Sequence, residues 1–351
     1  MEFAVSLWGM QAMRSALHHH VSLYRELIED CQLAEDLGFH SLWLTEHHFW
    51  YDGYCPSLMV TLGAMAAATT RLKIATGVVL LPMHDPIRVA EQAAVADIIS
   101  GGRVVLGFAN GYRDAEFDGF GLRRRDRGAR MTEQFEILKR AWTQDSFSFS
   151  GKHFSYKDLC VTPKPVQRPH PPVMVGSSPL FAPAVRRAGR FGFGLLLPPT
   201  VTPAQCQEGV RIWGEAAREA GLDPEELRAS GQARMGLVVD VWVDETTHKA
   251  QQVIPNLRYL YSEQLGGWRF LVDEEGKPVA FDRPDILSRA VEGVLQVAVI
   301  GSPTRVTQRL RQYEEAGIDF LCARVRWDSL PREDLHRCMQ LLAREVVPAF
   351  A

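Results

Sequence analysis

The sequence predicts an α/β fold, a (β/α)8 TIM barrel with insertions. Three observations predict it. Short apolar segments alternate with helix-period segments along most of the 351 residues. The apolar segments number eight, the count that closes a parallel barrel. The length is what one large barrel uses, so residues 1–351 are expected to form a single domain.

The elements follow in order. "EFAVSLW" (2–8) is the first strand, and a helix from His20 to Leu37 carries Leu23, Leu27, Cys31 and Ala34 at helical spacing. Gly38 stops that helix, and "HSLWLTE" (40–46) is the second strand. A helix over 57–69 leads to a third strand, "LKIATGVVLL" (72–81). The segment 85–100 is helical with Pro86 near its start, where the missing N–H costs nothing, and "RVVLGFA" (103–109) is the fourth strand. A long loop, a helix over 127–144 and a polar excursion, "SFSFSGKHFSYKDL", come next. The remaining strands are "PPVMVGSS" (171–178), "FGFGLLL" (191–197), "RMGLVVDVWVD" (234–244) and "DFLCARVRW" (319–327), with helices over 203–220 and 304–316. Residues 257–295 break the rhythm with Gly266-Gly267, Trp268, Phe270 and a "DEEGKP" turn. Long insertions in compact domains are functional lids or disordered, and the aromatics favour a lid.

Apolar residues make up 46% and charged residues 23%, the balance of a globular protein with a substantial core. A formal charge of −3 offers no field for gathering nucleic acid or an anionic membrane surface. No apolar run approaches the ~20 residues that span a bilayer. "MEFAVSLWGM" lacks a basic leader and a cleavage site. Six scattered cysteines without a Cys-x-x-Cys pair suit reduced structural thiols, so a cytoplasmic location is expected.

In such a barrel, catalytic groups come from the C-terminal strand ends and the loops after them. The second strand ends in "LTEHHFW" (44–50), where Glu46, His47 and His48 read as a metal site, an acid–base group or a polar loop. Adjacent strand residues point to opposite faces, so both histidines do not reach one ion without a bend. No His-Glu-x-x-His helix or Cys/His spacing supplies further ligands, and no metal is expected. His18-His19-His20, at a helix start, reads as a solvated face. No Gly-x-Ser-x-Gly elbow supports nucleophilic hydrolysis. Gly176, Ser177 and Ser178 at a helix start are suited to a phosphate, or to capping alone. A Gly-x-Gly-x-x-Gly turn is missing, which argues against a dinucleotide on a doubly wound sheet. Trp8, Met10, Phe49, Trp50, Trp268 and Trp327 are candidates for an apolar pocket wall, or for ordinary core packing.

The chain resembles the bacterial luciferase-like flavin-dependent monooxygenases over nearly its whole length. The matching segments are "GFHSLWLTEHHF" (38–49), "TGVVLLP" (76–82), "DPIRVAEQAAVADIISGGRVVLGFANG" (85–111), "FG" (120–121), "MVGSS" (174–178) and "IGSPTRVTQRLRQYEEAGID" (300–319). Their order and spacing together are specific. The resemblance implies a barrel with insertions, often dimeric, holding reduced FMN in its mouth, supplied by a separate flavin reductase. It also implies reaction with O2 to a flavin C4a-hydroperoxide that oxygenates a small or medium organic substrate. His47 matches the family histidine that assists proton transfer, with Glu46 and His48 its supporting neighbours. Gly77-Val78 falls where the family has a non-prolyl cis peptide beside the isoalloxazine ring. Ser177 and Ser178 fall on the loop that binds the flavin phosphate.

The chain also departs from the luciferases. Ala109 stands where luciferase has a reactive cysteine, and Asn110 where it has a phosphate-binding arginine. Ser177 replaces an acid and Phe181 a threonine. The missing cysteine argues little against oxygenation, which is the flavin's chemistry. The missing arginine removes a cation, for which Arg127 or Arg130 are candidate replacements. Light emission is not implied. Two alternatives accompany the monooxygenase reading: hydride transfer with a reduced 8-hydroxy-5-deazaflavin, and a flavin-binding protein without catalysis.

Overall fold

In the computed structural model, which describes residues 1–7, 10–12, 19–178, 181–268, 279–327 and 330–351, strands and helices alternate along the chain. The first half contains β1 (Glu2–Ser6), α1 (His19–Asp36), β2 (Ser41–Leu44), α2 (Leu58–Ala68), β3 (Lys73–Leu80), α3 (Pro86–Ser100) and β4 (Val104–Ala109). There follow α4 (Asp114–Gly119), α5 (Arg127–Thr143), β5 (Phe147–Ser150), β6 (Ser155–Leu159), β7 (Val173–Gly176), α6 (Ala182–Phe191) and β8 (Gly194–Leu197). The second half contains α7 (Pro203–Glu219), α8 (Pro224–Ala229), β9 (Met235–Val243), α9 (Thr247–Ala250), α10 (Ile254–Trp268) and α11 (Pro284–Val297). It closes with β10 (Val299–Gly301), α12 (Pro303–Glu315), β11 (Phe320–Arg324) and α13 (Arg332–Leu341).

Eight parallel strands form the barrel in the order β9, β11, β1, β2, β3, β4, β7, β8, and β8 pairs back onto β9 to close it. Every expected barrel strand is present. β10 extends the end of β9, with Val299 opposite Val241. The polar excursion folds as the antiparallel β5–β6 hairpin. The insertion after β9 is α10 and α11, with 269–278, including Phe270 and the acidic turn, outside the described residues. Among the described residues no helix is long and apolar enough to cross a membrane. The cysteines form no disulfide and only Cys160 is exposed.

Burial on both strand faces explains the near-continuous apolar runs. One set of side chains fills the barrel interior: Ala4, Trp43, Ala75, Val105, Met174 and Phe320, among others. Alternate residues such as Val5, Leu42, Ile74 and Leu106 face outward into a larger core shared with the helices. Local chemistry sets the helix ends. Asp85 Oδ1 accepts the Ile87 and Arg88 N–H groups at the start of α3, Pro86 takes the first position, and Gly101 ends the helix at φ +68°.

β3 carries the irregularity that shapes the mouth. Its register against β4 shifts between Thr76 and Val79, and the Gly77–Val78 peptide is cis, as the resemblance implies. Thr76 Oγ1 accepts the Gly107 N–H at 2.8 Å and donates to the Gly107 carbonyl at 3.0 Å, bridging the shift. Gly77 must lack a side chain, because a Cβ there would lie 2.6 Å from Cε3 of Trp43.

Candidate functional site

β2 ends at Leu44, and the next four residues turn inward across the barrel mouth. Glu46, His47 and His48 are buried despite their polarity, so each needs a partner. The two histidines turn apart, although they lie past the end of β2 rather than in it: His47 turns to Glu116 and His48 to Glu46.

His47 Nδ1 lies 2.8 Å from Glu116 Oε1. The same oxygen accepts the His48 backbone N–H at 2.9 Å and Arg113 Nη1 at 3.1 Å, and Arg113 also donates to the His48 carbonyl at 2.7 Å. Burial works against the charge of Glu116, but the donors from His47, His48 and Arg113 outweigh it and hold its carboxyl below the usual range. An ionised Glu116 only accepts, so His47 Nδ1 carries the hydrogen and Nε2 keeps its lone pair when the ring is neutral. Nε2 stands 3.3 Å from the Tyr112 hydroxyl. Rings of Tyr54 (4.7 Å between centroids), Trp268 (4.5 Å) and Tyr112 (5.5 Å) surround the imidazole. Arg113 sits over Trp50 and Trp268, with its guanidinium carbon 5.6 and 5.0 Å from their centroids.

Glu46 Oε1 accepts from His48 Nε2 and from His84 Nε2, each at 2.7 Å. Burial opposes the Glu46 charge, yet the two histidines prevail and lower its pKa. Burial likewise opposes the His84 charge, and Glu46 overrides it to raise the histidine. These three residues place one ligand atom each within 4.8 Å of one another, a donor set suited to a divalent cation. Their mutual hydrogen bonds satisfy the same atoms without one.

The remaining expected residues gather at the neighbouring strand ends. Ala109 is the register partner of Leu80 on one side and of Gly176 on the other. A Cβ at Gly176 would lie 3.2 Å from Val78 Cγ1 and 3.3 Å from Ala109 Cβ, so Gly77, Val78, Ala109 and Gly176 form one low wall. Ser177 and Ser178 follow directly, and the N-cap of α6 is Phe181, which makes no side-chain cap bond. Asn110 Oδ1 faces Arg187 Nη1 at 3.4 Å. Arg127 instead donates to the Arg124 carbonyl, while Arg130 donates to the Pro82 carbonyl and covers the Phe154 ring.

The aromatic candidates divide. Trp50 and Trp268 meet at 6.5 Å beside His47. Met10 is buried and Phe49 is 57% exposed, both with positive φ (+56° and +54°), and Phe49 packs outward on Phe120 at 5.1 Å. Trp327 stacks on Trp242 at 5.3 Å rather than on any ring around His47. Trp8 lies outside the described residues, as does His18. His20 is not a solvated group: its Nε2 bonds the Asp52 carbonyl at 3.0 Å and the ring fills the space beside Gly53.

Sequence reasoning missed Glu116, Arg113, Tyr112 and His84. Glu116 is 69 residues from His47, and its only signal is an acid in the first turn of the short helix after a barrel strand. Three buried polar atoms near His47 lack a partner among the described residues: Glu116 Oε2, Arg113 Nε and Trp268 Nε1. Such buried atoms are places where a ligand's polar edge would find a partner.

A family model described as luciferase-like monooxygenase matches residues 1–319. The oxygenase component of a flavin-dependent trigonelline monooxygenase from Acinetobacter baylyi is 26% identical over 347 residues, covering 94% of this chain and 90% of the relative. An FMNH(2)-dependent dimethylsulfone monooxygenase from Pseudomonas putida is 26% identical, covering 74% and 70% of the two chains. The crystal structure of monooxygenase RslO1 from Streptomyces bottropensis superposes with a TM-score of 0.83 at 26% identity, covering both chains completely.

Proposed function

The chain belongs to the luciferase-like monooxygenase family, and from that premise we propose that it is the oxygenase component of a two-component system. In this reading it takes reduced FMN from a separate flavin reductase and uses O2 to oxygenate a small or medium organic molecule, as a cytoplasmic homodimer. The relatives named as an oxygenase component and as FMNH(2)-dependent support the division of labour and the cofactor. The observation that carries the reading is His47, held through Nδ1 by buried Glu116 with Nε2 turned among aromatic rings at the barrel mouth.

The residues fit a flat ring with a polar edge and an anionic tail. Val78, Ala109 and Gly176 offer a low apolar wall, and the unpartnered Trp268 Nε1–H and Arg113 Nε–H are donors near the imidazole. Ser177, Ser178 and Asn110 would hold the phosphate end. Reduced FMN, when bound, supplies the electrons that activate O2. The chain supplies a proton acceptor and a dry site. His47 Nε2 takes or returns a proton, while Glu116 fixes the tautomer and stabilises the imidazolium. Trp50, Tyr54, Tyr112 and Trp268 exclude water around that atom, with α10 as the covering lid. Glu46, through His48 and His84, braces the loop that presents His47.

Oxygen uptake tests the reading. Reduced FMN should support O2 consumption and incorporation of labelled oxygen into product from an organic substrate panel, whereas a reduced deazaflavin should not. Consumption only with the deazaflavin, or hydride transfer without oxygen, would sink the proposal. His47→Ala should lower turnover by about 10²–10⁴-fold while flavin binding stays within about twofold.

A further inference from the structure

By the resemblance, Asn110 at the end of the fourth barrel strand stands where luciferase offers an arginine to the flavin phosphate. The structure brings a different guanidinium to that place. Arg187, in the second turn of α6, reaches back so that Nη1 lies 3.4 Å from Asn110 Oδ1 and Nε lies 3.0 Å from Thr132 Oγ1. Gly128 makes room for it, since a Cβ there would lie only 3.1 Å from Nη2. Both acceptors are neutral, and among the described residues no carboxylate pairs with Arg187, although many surface arginines here have one. Burial, then the nearby Arg190, weigh against its charge and lower its pKa. A half-buried cation without a counter-charge is costly unless an anion completes it.

The surroundings favour one kind of anion. Asn110 follows Ala109, whose register partner Gly176 leads directly into Ser177 and Ser178. Two hydroxyls and a planar guanidinium fork thus border one corner of the mouth. That combination suits the several oxygens of a phosphomonoester dianion.

Resting on the flavin reading above, we infer that Arg187 is the residue that meets the phosphate of FMN, with Asn110 Oδ1 and Thr132 Oγ1 aiming its guanidinium. The cation here comes from α6 rather than from the strand end. Arg187 is therefore the determinant of FMN over riboflavin, which shares the ring and ribityl chain and lacks the phosphate.

The test is equilibrium binding of oxidised FMN and of riboflavin to the full chain, followed by flavin fluorescence, for wild type, Arg187→Gln and Arg187→Lys. Wild type should prefer FMN, and inorganic phosphate should compete with FMN and not with riboflavin. Arg187→Gln should weaken FMN by about ten- to hundredfold and leave riboflavin within about twofold. Arg187→Lys, which keeps the charge and loses the fork, should fall between and guards against a misfolded Gln variant. Equal weakening of both flavins would assign Arg187 a merely structural part and overturn the inference. Unchanged FMN preference in Arg187→Gln, or none in wild type, would overturn it while leaving the flavin reading intact. Binding of neither flavin, with binding of a deazaflavin, would overturn the flavin reading itself.

Discussion

His47 and Glu116 form a hydrogen-bonded unit, and in the proposed mechanism the carboxylate fixes the ring while the ring moves the proton. Glu116→Gln keeps the shape and removes the negative charge that stabilises an imidazolium. Turnover is expected to fall about tenfold or more with KM for substrate little changed, a split that steady-state kinetics reads directly. A fall in flavin affinity of the same size would show instead that the pocket had collapsed. Glu46 and His84 make a second prediction, for stability against pH. His84 is raised above its ordinary 6.5, so its contribution is complete below that value and fades as pH rises through the folded value. Glu46 is lowered from its ordinary 4.5, so its contribution is complete above that value and fades as pH falls through the folded one. The pair therefore stabilises most between pH 4.5 and 6.5. Urea melts of His84→Ala and wild type should differ most in that window, with the gap closing as pH rises past 6.5 and through the raised folded value; a constant gap would deny the coupling. The triplet Glu46-His47-His48 was legible in the sequence because it follows directly on a barrel strand. Its partners were not: Glu116 and His84 become neighbours only after β3 and β4 take their places in the barrel.

At the scale of elements, apolar periodicity located every barrel strand, because each is buried on both faces and signals itself in composition. The β5–β6 hairpin hid within a polar stretch. Its Phe147 and Phe149 are buried while the intervening serine is exposed, an alternation too short to outweigh the surrounding polar residues. The insertion after β9 resolves into helices, and what ties α10 down is a buried polar cluster that no periodicity reports. Arg324 on β11 donates to both carboxylate oxygens of Asp240 on β9, at 2.7 and 2.8 Å. Tyr261 on α10 donates to Asp240 Oδ2 at 2.7 Å. α10 ends in Trp268 against His47, so this anchor sets the cover of the site. Asp240→Ala leaves a buried guanidinium without its counter-charge and should cost about 3–5 kcal/mol in urea unfolding. A loss below about 1 kcal/mol would show that water replaces the carboxylate and the anchor is dispensable.

For the whole molecule, the homodimer is the part of the proposal that a single chain tests least. Val60 on α2 and Val95, Ile98 and Ile99 on α3 are exposed apolar residues on two helices that pack together. Light scattering should return twice the 39.4 kDa chain mass, and Ile98→Glu with Ile99→Glu should return one chain. A monomeric wild type would refute the dimer, and a dimeric double variant would move its interface elsewhere. The barrel, its order of strands and the end at which the candidate site lies were determined by the sequence alone, because they follow from local periodicity and from segments that read in order along the chain. Only the tertiary structure decided which groups meet at that end. Glu116 closes on His47, His84 shares Glu46, and Arg187 arrives from α6 where Asn110 left no charge. Each of these meetings joins residues dozens of positions apart, and burial, which makes an unpaired charge costly, acts on them only once the barrel has closed.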